Sequence, residues 1–112
     1  FFILTMKFVF LYVTATSKEE ALKISSSLLE ERLIACVNMF PIKSMYLGND
    51  KIAKKNEYVL ILKTEKGAVP LISKKIAKMH SYSIPCITEV SAEPNEEYSR
   101  WLMAQLVGKP HK

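Results

Sequence analysis

The candidate ligands for a soft metal ion in this sequence are Cys36, Cys86 and His80. Thiolate sulfur and imidazole nitrogen together suit Cu(I), Cu(II) or Zn(II). They do not form a tight ligand motif, and neither cysteine belongs to a C-x-x-C pair. A site built from them must therefore assemble from distant segments or across subunits. A plainer reading stands beside this one. Free cysteine is among the most buried residue types and packs as a small apolar group. A histidine that ends a helix suits the helix's negative end.

Conventional catalysis has little support. There is no G-x-S-x-G motif and no defensible Ser-His-Asp arrangement. Only three glycines occur, so a phosphate-cradling loop cannot be built. The chain carries a net charge of +5, which raises the question of an anionic partner. Of its 16 basic residues only Arg32 and Arg100 are arginine, the residue suited to forked phosphate and base contacts. The lysines are scattered, with short doublets only at Lys54-Lys55 and Lys74-Lys75, and read as a solvated surface. Neither nucleic acid nor a membrane is expected as partner.

The elements that must position these residues follow from pattern. The length of 112 residues suits one domain. Residues 1–13 are almost wholly apolar, yet Lys7 interrupts them and the run is shorter than the ~20 residues a membrane span requires. Residues 1–6 are read as an extension or precursor remnant, 7–107 as the domain and 108–112 as a tail. The compartment expected is the cytoplasm.

Residues 7–14 read as a strand apolar on both faces, hence central. Ser17 and Glu20 form a capping box, and Ala21, Ile24, Ser25, Leu28 and Leu29 extend a helix over about 18–34. Residues 36–47 form a strand in which Pro41 requires an edge position or a bulge. After the turn at Gly48-Asn49-Asp50, Lys51 to Thr64 returns as a third strand, again apolar on both faces in its second half. Pro70 opens a second helix whose stripe is Val69, Ile72, Ile76 and Met79. Ile87 to Glu93 is a fourth strand. Asn95 caps a third helix faced by Tyr98, Trp101, Leu102 and Leu106, and Gly108 ends it.

The order β-α-β-β-α-β-α defines an α+β, ferredoxin-like split β-α-β sandwich with a long hairpin between strands two and three and an extra C-terminal helix. That topology places both long helices on one sheet face. Strands one and three are apolar on both faces, and one short helix cannot cover the second. A bare apolar sheet exceeds what a monomer tolerates, so oligomerisation follows from the pattern, though its number does not.

Four motifs in register carry a resemblance. Glu31-Arg-Leu-Ile-Ala-Cys-Val-Asn38 resembles the signature ERLAACVN of the CutA, or divalent-cation-tolerance, family. Glu57 to Thr64 resembles its E-x-x-x-x-x-K-T strand, His80-Ser-Tyr-Ser-Ile-Pro85 its H-P-Y-x-x-P segment, and Tyr98-x-x-Trp-Leu102 its last helix. The chain departs from the family at the hairpin tip, where Gly48-Asn49-Asp50 replaces Trp-Glu-Gly. It departs again at Pro85-Cys86-Ile87, where a thiol replaces a carboxylate, and at Val13, where some bacterial members carry cysteine.

The resemblance implies a homotrimer of ferredoxin-like subunits, tolerance of copper and other divalent cations, and no catalytic activity; a three-fold assembly that seals the sheet is in turn expected to resist heat. It also singles out Glu57, Lys63, Tyr82, Tyr98 and Trp101, which match polar or aromatic family positions. These five either line a small-molecule pocket between subunits, or Glu57 and Lys63 pair at a strand end while Tyr98 and Trp101 anchor a core. Two rivals share the fold or the absence of catalysis: a PII-type nucleotide-sensing trimer, which the glycine count disfavours, and a structural anchoring module.

Overall fold

A run apolar on both faces over Phe8–Ala15 builds β1, and a similar run in the second half of Lys51–Glu65 builds the inner part of β3. The computed structural model describes residues 6–106. Between and after these strands come α1 (Lys18–Glu30), β2 (Cys36–Gly48), a 3-10 turn at Lys66–Ala68, α2 (Val69–Met79), β4 (Ile87–Ala92) and α3 (Glu96–Leu106). The sheet is antiparallel in the order β2-β3-β1-β4, so β1 and β3 are its central strands. This is the ferredoxin-like α+β topology. The readings of residues 1–5, Gly108 and the tail 108–112 lie outside the described residues.

Register decides which side chains share a face. Leu11 pairs with Leu62 and Val13 with Leu60, and these four enter one core with Val9 and Ala15. Ala21, Ile24 and Leu28 of α1 and Ile72 and Ile76 of α2 close that core from one side. Each fully buried Leu or Ile contributes about 2 kcal/mol of apolar transfer. The intervening residues Phe8, Phe10 and Tyr12, with Val59 and Ile61, point to the opposite face. There α3 packs against β3 and buries Leu102 and Leu106. The cover is partial: Tyr12 is 38% exposed, Phe40 42% and Val90 49%, so the middle and far side of this face stay open. Trp101, offered as a pocket residue or a core anchor, is 44% exposed, whereas Ser99, Leu102 and Leu106 are the buried residues of α3.

The first helix stops at Glu30, four residues short of the expected end. Arg32 takes a left-handed φ of 55°. The Arg32 N–H then donates to the Leu29 carbonyl and the Leu33 N–H to the Leu28 carbonyl. This is a Schellman closure with arginine where glycine is usual. Leu28 and Leu33, the apolar pair that accompanies such a closure, are both fully buried. Arginine bears the left-handed cost while its guanidinium donates to the Gln105 carbonyl of α3 at 2.8 Å. The Thr64 hydroxyl holds the outgoing chain by donating to the Leu33 carbonyl at 2.6 Å.

The hairpin arm is continuous. Pairing runs unbroken from Cys36 opposite Lys63 to Gly48 opposite Lys51, so Pro41 makes no bulge and sits in an edge strand instead. Asn49 and Asp50 both have positive φ, 53° and 65°, which fits a two-residue type I′ turn matched to the strand twist. The arm helps extend the molecule to 51 Å in its long direction and leaves Met45, Leu47 and Ile52 exposed.

One flaw in the core gives a direct test. The Ser25 hydroxyl is buried without a hydrogen-bond partner. Removing an unsatisfied polar group from a helix interior is favourable. Ser25→Ala is expected to raise unfolding stability by about 1 kcal/mol in a urea titration; a loss of that size would mean the hydroxyl is satisfied.

Candidate functional site

α2 ends because His80 leaves the helical region, with φ −79° and ψ 142°. Its N–H still caps the helix through the Ile76 carbonyl. The extended backbone turns the imidazole inward, and the side chain has no exposed surface. Nδ1 accepts from the Tyr82 N–H at 3.0 Å, which leaves Nε2–H to donate to the Thr14 carbonyl at 2.6 Å. The imidazole that ends α2 is therefore held inside the fold and is not offered to solvent. The short turn Ser81-Tyr82 folds back onto its own histidine, and neither ring nitrogen has a lone pair left for a metal.

Glu20 joins the same junction from α1. Ser17 accepts from the Glu20 N–H at 3.1 Å, which is half of the capping box. The carboxylate does not complete it on Ser17. Oε1 accepts instead from the Thr16 N–H at 2.8 Å and the Thr16 hydroxyl at 3.1 Å. Oε2 accepts from the Ser81 N–H at 2.8 Å, and Oε1 lies 3.7 Å from His80 Nε2. Burial pushes the Glu20 carboxyl up, but the Thr16 and Ser81 hydrogen bonds and the nearby His80 outweigh it. The carboxyl is held below its ordinary value.

On the far side of the turn, Tyr82 reaches the open face of the sheet. The Lys55 ammonium donates to the Tyr82 hydroxyl at 2.6 Å, and that hydroxyl donates to Glu57 at 2.8 Å. Lys55 also stands over the Tyr82 ring, 4.2 Å from its centroid, and 5.7 Å from that of Tyr46. Burial, with the Glu57 contact, raises the phenol's pKa, while the Tyr82 hydroxyl raises that of the Lys55 ammonium. These residues line a cleft of about 700 Å³ with Ser44, Ser81, Ser83 and Cys86.

The five pocket residues divide into two groups. Glu57 and Tyr82 share this cleft. Lys63 is at the other end of β3, its ammonium between the rings of Phe10 and Tyr98, and Trp101 stacks on Tyr98 with centroids 5.5 Å apart. Six residues of strand separate Glu57 from Lys63, about 20 Å, so they are not an ion pair. Lys55 went unremarked as a site residue, although Lys55 and Glu57 are two apart on one strand and so share a face.

The thiols are also apart. Cys36 opens β2 and Cys86 precedes β4, at opposite edges of a four-stranded sheet and therefore at least about 14 Å apart. Both are free; Cys36 is half-buried, and Cys86 is exposed with its sulfur 3.6 Å from the Thr88 hydroxyl. Among the described residues no three His, Cys, Asp or Glu side chains group as a metal site.

A ferredoxin-like fold with a projecting hairpin and a half-covered sheet defines a small α+β class, and its likeness to known proteins is specific. A family model described as "CutA1 divalent ion tolerance protein" matches residues 9–105. The divalent-cation tolerance protein CutA of Archaeoglobus fulgidus is 40% identical over 94 residues, 83% of this chain and 92% of its own length. A solved structure of the periplasmic protein of that name from the same organism superposes with a TM-score of 0.86 at 38% identity, covering 88% of this chain and 98% of the other. The divalent ion tolerance protein CutA1 of Ehrlichia chaffeensis gives 0.87 at 33% identity, covering 92% and 98%. The chain belongs to the CutA1 divalent ion tolerance family.

The Glu20 junction predicts a pH dependence. A carboxyl with a depressed folded pKa stabilises above its unfolded value, and the contribution is lost as pH falls through the folded one. Glu20→Gln is expected to cost about 1 kcal/mol at pH 7 in urea unfolding. That gap should close below the ordinary glutamate value of 4.5. A gap unchanged down to pH 3 would remove the charge from the account.

Proposed function

We propose that the chain works as a non-catalytic homotrimer in divalent-cation tolerance, the role named in its relatives. The observation that carries the assembly is the open sheet face: Tyr12, Phe40 and Val90 leave apolar surface that another copy would cover. The number three rests on the family resemblance. Light scattering after gel filtration is expected to give about three times the subunit mass of 12.8 kDa. A clean monomer at micromolar concentration would overturn the reading.

Copper is the cation we assign, held weakly at thiols. Cys86 is the exposed donor, and Cys36 joins it only from another subunit, because one sheet keeps the two apart. His80 is left out, since both ring nitrogens are engaged inside the fold. An open site of few ligands binds less tightly than a closed structural one. The two free thiols suit a reducing compartment such as the cytoplasm. In calorimetry with Cu(I) under anaerobic conditions, Cys86→Ser is expected to weaken binding at least about tenfold, whereas His80→Ala leaves it near wild type. Equal binding by wild type and Cys86→Ser would remove the thiol from the site.

A further inference from the structure

The segment from Ser81 to Cys86 has no regular structure, yet it connects α2 to β4 and forms one wall of the 700 Å³ cleft. Its attachments are few. Ser81 is held by Glu20 through its N–H and by Thr16 through its hydroxyl, Tyr82 by His80 through its N–H, and the Tyr82 hydroxyl by Lys55 and Glu57. Ile84, midway along, is 88% exposed, so no apolar contact pins the middle of the strap within one subunit. Beyond Cys86 the sheet takes over.

The Tyr82 attachment has a chemical condition. His80 can accept from the Tyr82 N–H only while Nδ1 carries no proton. Nε2–H is committed to the Thr14 carbonyl, so the ring is locked in one neutral tautomer. An imidazolium has a donor at both nitrogens, and its Nδ1–H would face the Tyr82 N–H at 3.0 Å with no acceptor between them. We propose that His80 is a proton-operated latch: on acidification it releases Tyr82, and the 81–86 strap lifts from the cleft.

The groups around the ring set the balance. From α1, the Glu20 carboxylate lies 3.7 Å from Nε2. From β1 the ring meets the Thr14 carbonyl, which accepts in either protonation state. From the strap itself comes the Tyr82 ring, its centroid 4.8 Å away. Its hydroxyl contacts bring the Glu57 and Lys55 charges of β3 one residue further off, with opposite signs. On α2 itself, Lys78 is the basic residue of the last turn. Among the described residues, Glu20 is the charged side chain within 4 Å of the imidazole. Lifting the strap breaks the Lys55–Tyr82–Glu57 chain and frees a lysine and a carboxylate on the open face. The latch does not depend on the metal assignment above.

The test is amide exchange and ring titration by NMR on the full chain. With intrinsic exchange corrected for pH, the Tyr82 amide should lose protection at least about tenfold on acidification. Its midpoint should coincide with that of the His80 ring shifts, while the Leu11 and Leu62 amides of the core stay protected. In Glu20→Gln the two midpoints should still coincide. His80→Gln, which keeps a donor for Thr14 and cannot charge, should abolish the pH dependence. The proposal fails if His80 protonates with Tyr82 still protected, if the two midpoints differ, or if the core amides open before His80 titrates. The wild-type comparison decides the matter even if His80→Gln does not fold.

Discussion

Everything in this molecule follows from a pair of central strands that are apolar on both sides. β1 and β3 present Val9, Leu11, Val13, Leu60 and Leu62 to one side, and Phe8, Phe10, Tyr12, Val59 and Ile61 to the other. The connections of a split β-α-β unit carry both long helices to the same side. One face is thus sealed by α1 and α2 at full burial. The other receives only the two inward leucines of α3. The apolar transfer free energy withheld from that face is the reserve available to association. The hairpin arm adds to it, since Met45, Leu47 and Ile52 lie beyond the reach of the subunit's own helices.

Polar chemistry is concentrated where the sheet ends. At the exit of β1, the start of α1 and the end of α2, main-chain groups lose their ladder and helix partners together. Glu20 and His80 supply them: one carboxylate accepts from Thr16 and Ser81, and one imidazole bridges Thr14 and Tyr82. The residues best suited by type to bind a metal or move a proton are thereby used to close the fold. The consequence is selective. The thiol of Cys86 stays free and exposed, while both nitrogens of the imidazole are engaged inside the fold.

Legibility differed sharply between elements. The double-sided apolar runs of β1 and β3, the Ser17 cap and the turn at Asn49-Asp50 are local signals, and local signals survive folding. Period two and period 3.6 are properties of the chain itself. The helix end at Glu30 was less legible, because an arginine in the left-handed region is tolerated only once Leu28 and Leu33 are buried together and α3 supplies the Gln105 carbonyl.

By itself, then, the order of residues determined the element sequence, the central position of β1 and β3, and the edge position of β2. Hydrophobic periodicity acts over a few residues and has few solutions. Only the tertiary structure decided which chemical groups meet. It separated Cys36 from Cys86 by the width of a sheet, divided Glu57 and Tyr82 from Lys63, Tyr98 and Trp101, and brought Lys55 into the cleft. It also turned His80 inward, because the register of a sheet and the end of a helix fix side-chain positions across more than sixty residues of sequence, as the Thr14–His80 separation of 66 shows. No local pattern reports a distance of that kind.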